Sequence, residues 1–341
     1  VLDAGWRIGK NPASRAARAR ANPQRLAHPI VEKWKMHRFV RWVLSALTFA
    51  AGGYGQAASP QPQILTGDVD RFYKVYEAAG GHPAVEQLDR DYLAPGTPGL
   101  HEFAKLRNVS GQTIAAAIEK RPQIYEDARR CLKVLPHVRQ RVAAALDKLA
   151  RIYPEAKFPP VTIVVGRGRP VGITNPSGVT VGLEALCSAD FMNPSPEDRF
   201  VHVIAHEYGH IQQSRAQQEL NPGDPGATVL KLSLIEGAAD FLGELISGDI
   251  GNQAPFASAK GHEAQIETAF VEDEDKTDVS NWLYNGIPSP GHATDLGYWV
   301  GYRIVRAYYD RAADKHQALR DIFEMTDPKA FLAASGWQPA K

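Results

Sequence analysis

His206-Glu207-Tyr208-Gly209-His210 places two imidazoles four residues apart with a carboxylate between them. On a helix of 3.6 residues per turn, positions four apart stack on one face. Both rings can then reach one divalent ion, and Glu207 stands where it can activate a water. The flanking residues predict a helix. Ser195-Pro196-Glu197-Asp198 offers a serine cap, a proline in the first turn and an acid placed to close a capping box. Behind them Phe200, Val201, Ile204 and Ile211 supply the apolar positions of a buried helix. The pattern reads as half of a metal site.

A hydrolytic zinc site takes three protein ligands and leaves a fourth position for water. Ile211-Gln212-Gln213-Ser214 follows His210, so the downstream glycine and histidine of the metzincin pattern are absent. The best third ligand is Glu236, within "LSLIEGAADFLGELISG" from Leu232 to Gly248. That run has helical apolar spacing, and Gly237, Ala238, Ala239 and Gly243 permit close helix packing. Asp240 lies four residues beyond Glu236 on the same face, where a carboxylate can orient a ligand histidine.

HExxH followed by a distant Glu-x-x-x-Asp resembles the gluzincin metallopeptidases, the thermolysin-like branch in particular. A closer resemblance is to a family of predicted secreted bacterial zinc-dependent proteases. It is carried by "RFYKVYEAAGG", "RIYPEAKFPPVTIVVG", "AHEYGHIQQ", "IEGAADFLGELISG", "NWLYNG" and "TDLGYWVGYRIVRAYYDRAADKHQAL", over roughly Asp68 to Trp337. The resemblance implies one Zn²⁺ held by His206, His210 and Glu236, with Glu207 as catalytic base, acting on a peptide or protein substrate. The interval to Glu236 is longer than in thermolysin-like enzymes. No Gly-x-Met-Glu-Asn element occurs, which argues against aminopeptidases that read a free N-terminus.

Residues 36–58 read as a signal peptide: a short basic start at Met36, the apolar "WVLSALTFAA", then small residues around Ala57 and Ala58. Export to a bacterial periplasm or the exterior is the expectation. The apolar run is short for a membrane span, so no stable span is expected after cleavage. Residues 1–35, rich in Arg, Ala and Pro, read as an upstream extension or a disordered basic tail. Residues 1–58 carry a net charge of +8, so the whole-chain +1 leaves −7 on the remainder. An acidic body offers no footprint for nucleic acid. Cys131 and Cys187 fit either a disulfide or two buried thiols.

The expected fold is α+β and mostly α: a helical subdomain over 59–155, then a zincin-like catalytic domain with a small sheet over 156–341. "DVDRFYKVYEAAG", "TIAAAIEKRP", "QIYEDARRCLKVL" and "HVRQRVAAALDKLARIYP" are amphipathic helices. "VTIVVG" is a strand, and "PVGITNPSGVTVGLEAL" gives two more around a turn at Asn175-Pro176-Ser177-Gly178. The strand near Val179 to Leu183 is expected to border the cleft and pair with an extended peptide. "GRGRPVG" is no phosphate loop, since the Gly-Lys-Ser/Thr ending is missing.

Amide attack builds charge on the carbonyl oxygen, for which a neutral donor is wanted. Thr294-Asp295 is expected to cap a helix bearing Tyr298 and Tyr302, with His292 just ahead, and any of the three could donate. Arg303 would bind a substrate carboxylate or, more simply, a neighbouring acid. A second class stays open: a non-catalytic metal-binding module of the cell envelope, using the same residues structurally. Nothing in the pattern specifies an oligomeric state.

Overall fold

Alternating and helical hydrophobic periods each find their element. The computed structural model describes residues 63–169, 171–189, 191–286 and 293–341. The readings for residues 1–35 and 36–58 and for His292 fall outside them. Helices α1 (Gly67–Ala78), α2 (Val85–Gln87), α3 (Pro98–Arg107), α4 (Gly111–Lys120), α5 (Pro122–Cys131) and α6 (Leu135–Ile152) follow a two-residue strand β1 (Ile64–Leu65). Strands β2 (Val161–Val164), β3 (Gly172–Asn175) and β4 (Gly178–Gly182) lead into α7 (Leu183–Ser188). The rest is helical: α8 (Pro196–Gln212), α9 (Arg215–Gln218), α10 (Val229–Ser247), α11 (Ala254–Ala259), α12 (Glu263–Asp273), α13 (Leu296–Arg311), α14 (Lys315–Phe323) and α15 (Pro328–Ser335). The chain is α+β and mostly α, as expected. No helix among the described residues is long and apolar enough to cross a membrane.

The sheet runs β1-β2-β4-β3, with β3 antiparallel to β4 and the other pairs parallel. Side chains alternate across it. On one face Thr162 meets α3, where Gly99 leaves room for it. On the opposite face Gly172 and Thr174 meet Glu207 of α8. With helices on both faces, β2 and β4 are buried throughout. One expectation is corrected here. The strand at Val179 is interior, paired on both sides, and the edges belong to β3 and to the two-residue β1.

α10 lies between α8 and α13, and glycines set the separations. A Cβ on Gly209 would stand 2.6 Å from Ala239 Cα, and one on Gly237 would stand 2.1 Å from the Gly301 carbonyl carbon. Backbones this close leave no room for a larger residue. This is the packing that the small residues of α10 predict.

The sulfurs of Cys131 in α5 and Cys187 in α7 are joined as a disulfide, with 6.2 Å between the Cα atoms. This settles the choice that composition left open. β1 and α3 were not legible beforehand: two residues are too few to show a period, and α3 begins in a Gly/Pro-rich stretch.

Candidate metal centre

α8 is anchored before it reaches the motif. Ser195 Oγ accepts from the Asp198 amide at 3.3 Å, as a cap should. The capping box does not close, because Asp198 turns its carboxylate to Arg141 and the Ser195 amide donates to Asn193 Oδ1 instead. Buried Arg199 bonds the carbonyls of Leu186, Cys187, Asn193 and Pro194. At the other end, Tyr208 donates to the Pro159 carbonyl, and Gln212 exchanges two hydrogen bonds with the Lys157 backbone.

Facing α10, the two histidines meet Glu236. His206 Nε2 and His210 Nε2 are 3.1 Å apart, and Glu236 Oε2 lies 3.6 Å and 3.3 Å from them. Donors around a tetrahedral zinc with bonds of about 2.0–2.1 Å stand roughly 3.3–3.4 Å apart. The three atoms fit one such ion, and they are the group of metal-ligating side chains found among the described residues.

The outer atoms of the ligands are held as well. Asp240 Oδ1 lies 2.7 Å from His206 Nδ1, as its helical spacing from Glu236 predicts. Gln213 Oε1 is 2.9 Å from His210 Nδ1, while its Nε2 donates to the Ile235 carbonyl at 2.7 Å. Tyr284 donates to Glu236 Oε1 at 2.5 Å. With both Nδ1 atoms engaged, both Nε2 atoms turn inward, which is how outer hydrogen bonds fix ligand orientation.

Charge accumulates accordingly. Burial alone would lower the His210 pKa, but Glu236 and its hydrogen bond overcome this and raise it to about 9. His206 is raised by Asp240 against the same desolvation. Glu236, which burial would push up, is brought down to about 2 by the two histidines and by Tyr284.

Residues 185–327 match the family model described as predicted Zn-dependent protease (DUF2268). The matched stretch holds His206, Glu207, His210 and Glu236, and the match supports a zinc-protease family for this chain. No curated protein and no solved structure matches it.

Glu207 follows His206 in the chain, and its charge acts on both imidazoles. Its carboxylate accepts from Thr174 Oγ1 at 2.9 Å, and that hydroxyl also lies 2.9 Å from the Glu207 carbonyl oxygen. The Tyr298 ring lies 6.3 Å from that of His206 at an interplanar angle of 22°. Burial, then the negative charge of Glu236, raises its phenol well above the ordinary value, so it keeps its proton.

Tyr302 is placed elsewhere. Its hydroxyl donates to Glu244 Oε2 and accepts from Arg306, and Glu244 is about two turns of α10 beyond Glu236. Asp295 precedes α13 in a left-handed conformation without capping it, and its carboxylate accepts from the Asn285 amide. Arg303 pairs with buried Glu267 at 2.6 Å, the simpler of its two readings.

Sequence reasoning missed Gln213, Tyr284 and Thr174. Only Gln213 had a local signal, since it lies three residues after His210. The others reach the site through tertiary contacts from distant segments.

Proposed function

We propose that the protein is an exported zinc-dependent peptidase of gluzincin type, in which Glu207 is the general base. The observation that carries this reading is the 3.1–3.6 Å triangle of His206, His210 and Glu236 donors, with Glu207 close enough for its charge to act on both imidazoles. The match to a zinc-protease family supports it independently.

Zinc bound by those three residues would lower the pKa of a water and polarise the scissile carbonyl. Glu207 accepts the water's proton on its carboxylate and delivers it to the departing amine. Thr174 holds that carboxylate in position through its hydroxyl. Asp240 and Gln213 keep both imidazoles turned inward. Tyr298, protonated and adjacent, is the donor assigned to the developing oxyanion. β3 offers an unpaired strand edge beside Glu207, where an extended peptide can add through backbone hydrogen bonds. Export is supported by the basic, apolar and small-residue succession over 36–58, and by the disulfide, which belongs to oxidising compartments.

Glu207→Gln tests the reading. The variant should retain zinc at near-equal stoichiometry and lose cleavage of a mixed peptide library by at least about 10²-fold. Equal cleavage by the variant would reject Glu207 as base. Zinc retention without cleavage by either protein would favour the structural metal module.

A further inference from the structure

The loop between β2 and β3 carries Gly166-Arg167-Gly168-Arg169, a sequence with no role in metal binding. It is a built loop. Buried Glu184 accepts the amides of Gly166 and Gly168 on Oε1 at 3.0 and 2.8 Å, and Tyr125 donates to the Gly166 carbonyl. Arg121 donates to the Arg167 carbonyl at 3.1 Å, and Arg167 in turn bonds the Arg107 carbonyl at the end of α3. Arginines 107, 121 and 167 are therefore linked through the loop backbone, and Arg169 follows Arg167 by two residues. None of them makes an ion pair among the described residues.

Chain connectivity and charge proximity bring them toward the candidate metal centre. Arg169 is three residues before Gly172, at most about 10 Å of chain. A Cβ on Gly172 would stand 2.7 Å from the Glu207 carboxylate. On the other side, Arg107 is near enough to Tyr284 for its charge to act on the phenol that donates to Glu236. Arg107, Arg121 and Arg169 are exposed. On a body carrying −7, a positive patch at the start of the free strand edge stands out.

We infer that these arginines form an anion-binding subsite that selects peptides with Asp or Glu near the scissile bond. The inference rests on the peptidase reading and adds substrate class to it. Arg167 and Arg121 spend some donors on carbonyls and fix the loop, whereas Arg107 and Arg169 keep their forks for a carboxylate. Each exposed pairing contributes modestly, and together they favour an acidic peptide by about five- to tenfold.

The test uses paired peptides that differ only by Glu for Gln at positions flanking the cleaved bond. The zinc-loaded protein should cleave the acidic member with kcat/KM about five- to tenfold higher, and high salt should shrink that ratio. Arg107→Gln with Arg169→Gln should bring the ratio near one, and Arg169→Glu should turn preference toward Lys-bearing peptides. The same pairs bound to the Glu207→Gln protein, read by fluorescence anisotropy, give the ratio without catalysis. A peptidase failure is thereby distinguished from a subsite failure. Equal binding and cleavage of both members, or an unchanged ratio in the arginine variants, would overturn the subsite.

Discussion

Gly172 and Glu207 are in contact across the seam between strand and helix: a Cβ at residue 172 would come 2.7 Å from Glu207 Oε1 and 3.0 Å from Val203 Cγ1. The Glu207 carboxylate is thus seated by a missing side chain as well as by the Thr174 hydroxyl. Gly172→Ala should displace the carboxylate by a fraction of an ångström to an ångström and lower kcat by about 10²-fold. Zinc content and thermal stability should stay near wild type. Full turnover in the alanine variant would show that this seat does not set Glu207.

Asp240 engages His206 on the nitrogen opposite the one that faces Glu236. Asp240→Ala should weaken zinc binding by about 10- to 100-fold. Competition with a calibrated chelator reads this directly. Affinity equal to wild type would remove Asp240 from the site.

The pKa pattern gives the chelated protein a definite pH dependence. The folded pKa of His210, about 9, lies above its ordinary 6.5, so its stabilising contribution is complete below 6.5 and lost as pH rises through about 9. Glu236 is lowered to about 2 from 4.5, so its contribution holds above 4.5 and disappears as pH falls toward 2. Thermal melts in chelator should therefore decline from pH 6.5 to 9. Zinc must displace a proton from His210 below that pKa, so apparent affinity should rise about tenfold per pH unit until about 9. Melts and affinities flat over this range would contradict the assignment.

Gly237→Ala tests the helix layer. Its Cβ would meet the Gly301 backbone at 2.1 Å, forcing α10 and α13 apart. A loss of about 3 kcal/mol is expected, seen as a fall of about 5–10 °C in Tm. Because Glu236 is the neighbouring residue, zinc affinity should fall too. A variant as stable as wild type would mean that the two helices repack freely.

The parts of the site legible beforehand are those whose geometry a helix dictates. His206 pairs with His210 and Glu236 with Asp240 by spacing, because i and i+4 share a face wherever the helix lies; the choice of Glu236 rested on its apolar helical run and on the family resemblance. Close packing of α10 was equally visible in its run of small residues. What escaped depends on how distant segments meet. Tyr284 reaches Glu236 across 48 residues and Thr174 reaches Glu207 across 33, with no period to announce them. Tyr302 was placed at the site by its spacing from Tyr298, but one helical turn carried its hydroxyl to Glu244 and Arg306. The strand edge went to β3 rather than β4 because strand order is a property of topology. Short valine-rich strands do not state their neighbours.

The disulfide and the sheet bear on where this chain could be cut. Cys187 lies inside the matched stretch 185–327, while Cys131, Gly172 and Thr174 lie upstream of it. A fragment trimmed to that stretch would keep His206, His210 and Glu236 yet leave one thiol stranded and Glu207 without its wall. On the peptidase reading such a truncation should bind metal without cleaving peptide, because the upstream helices and strands wall the site.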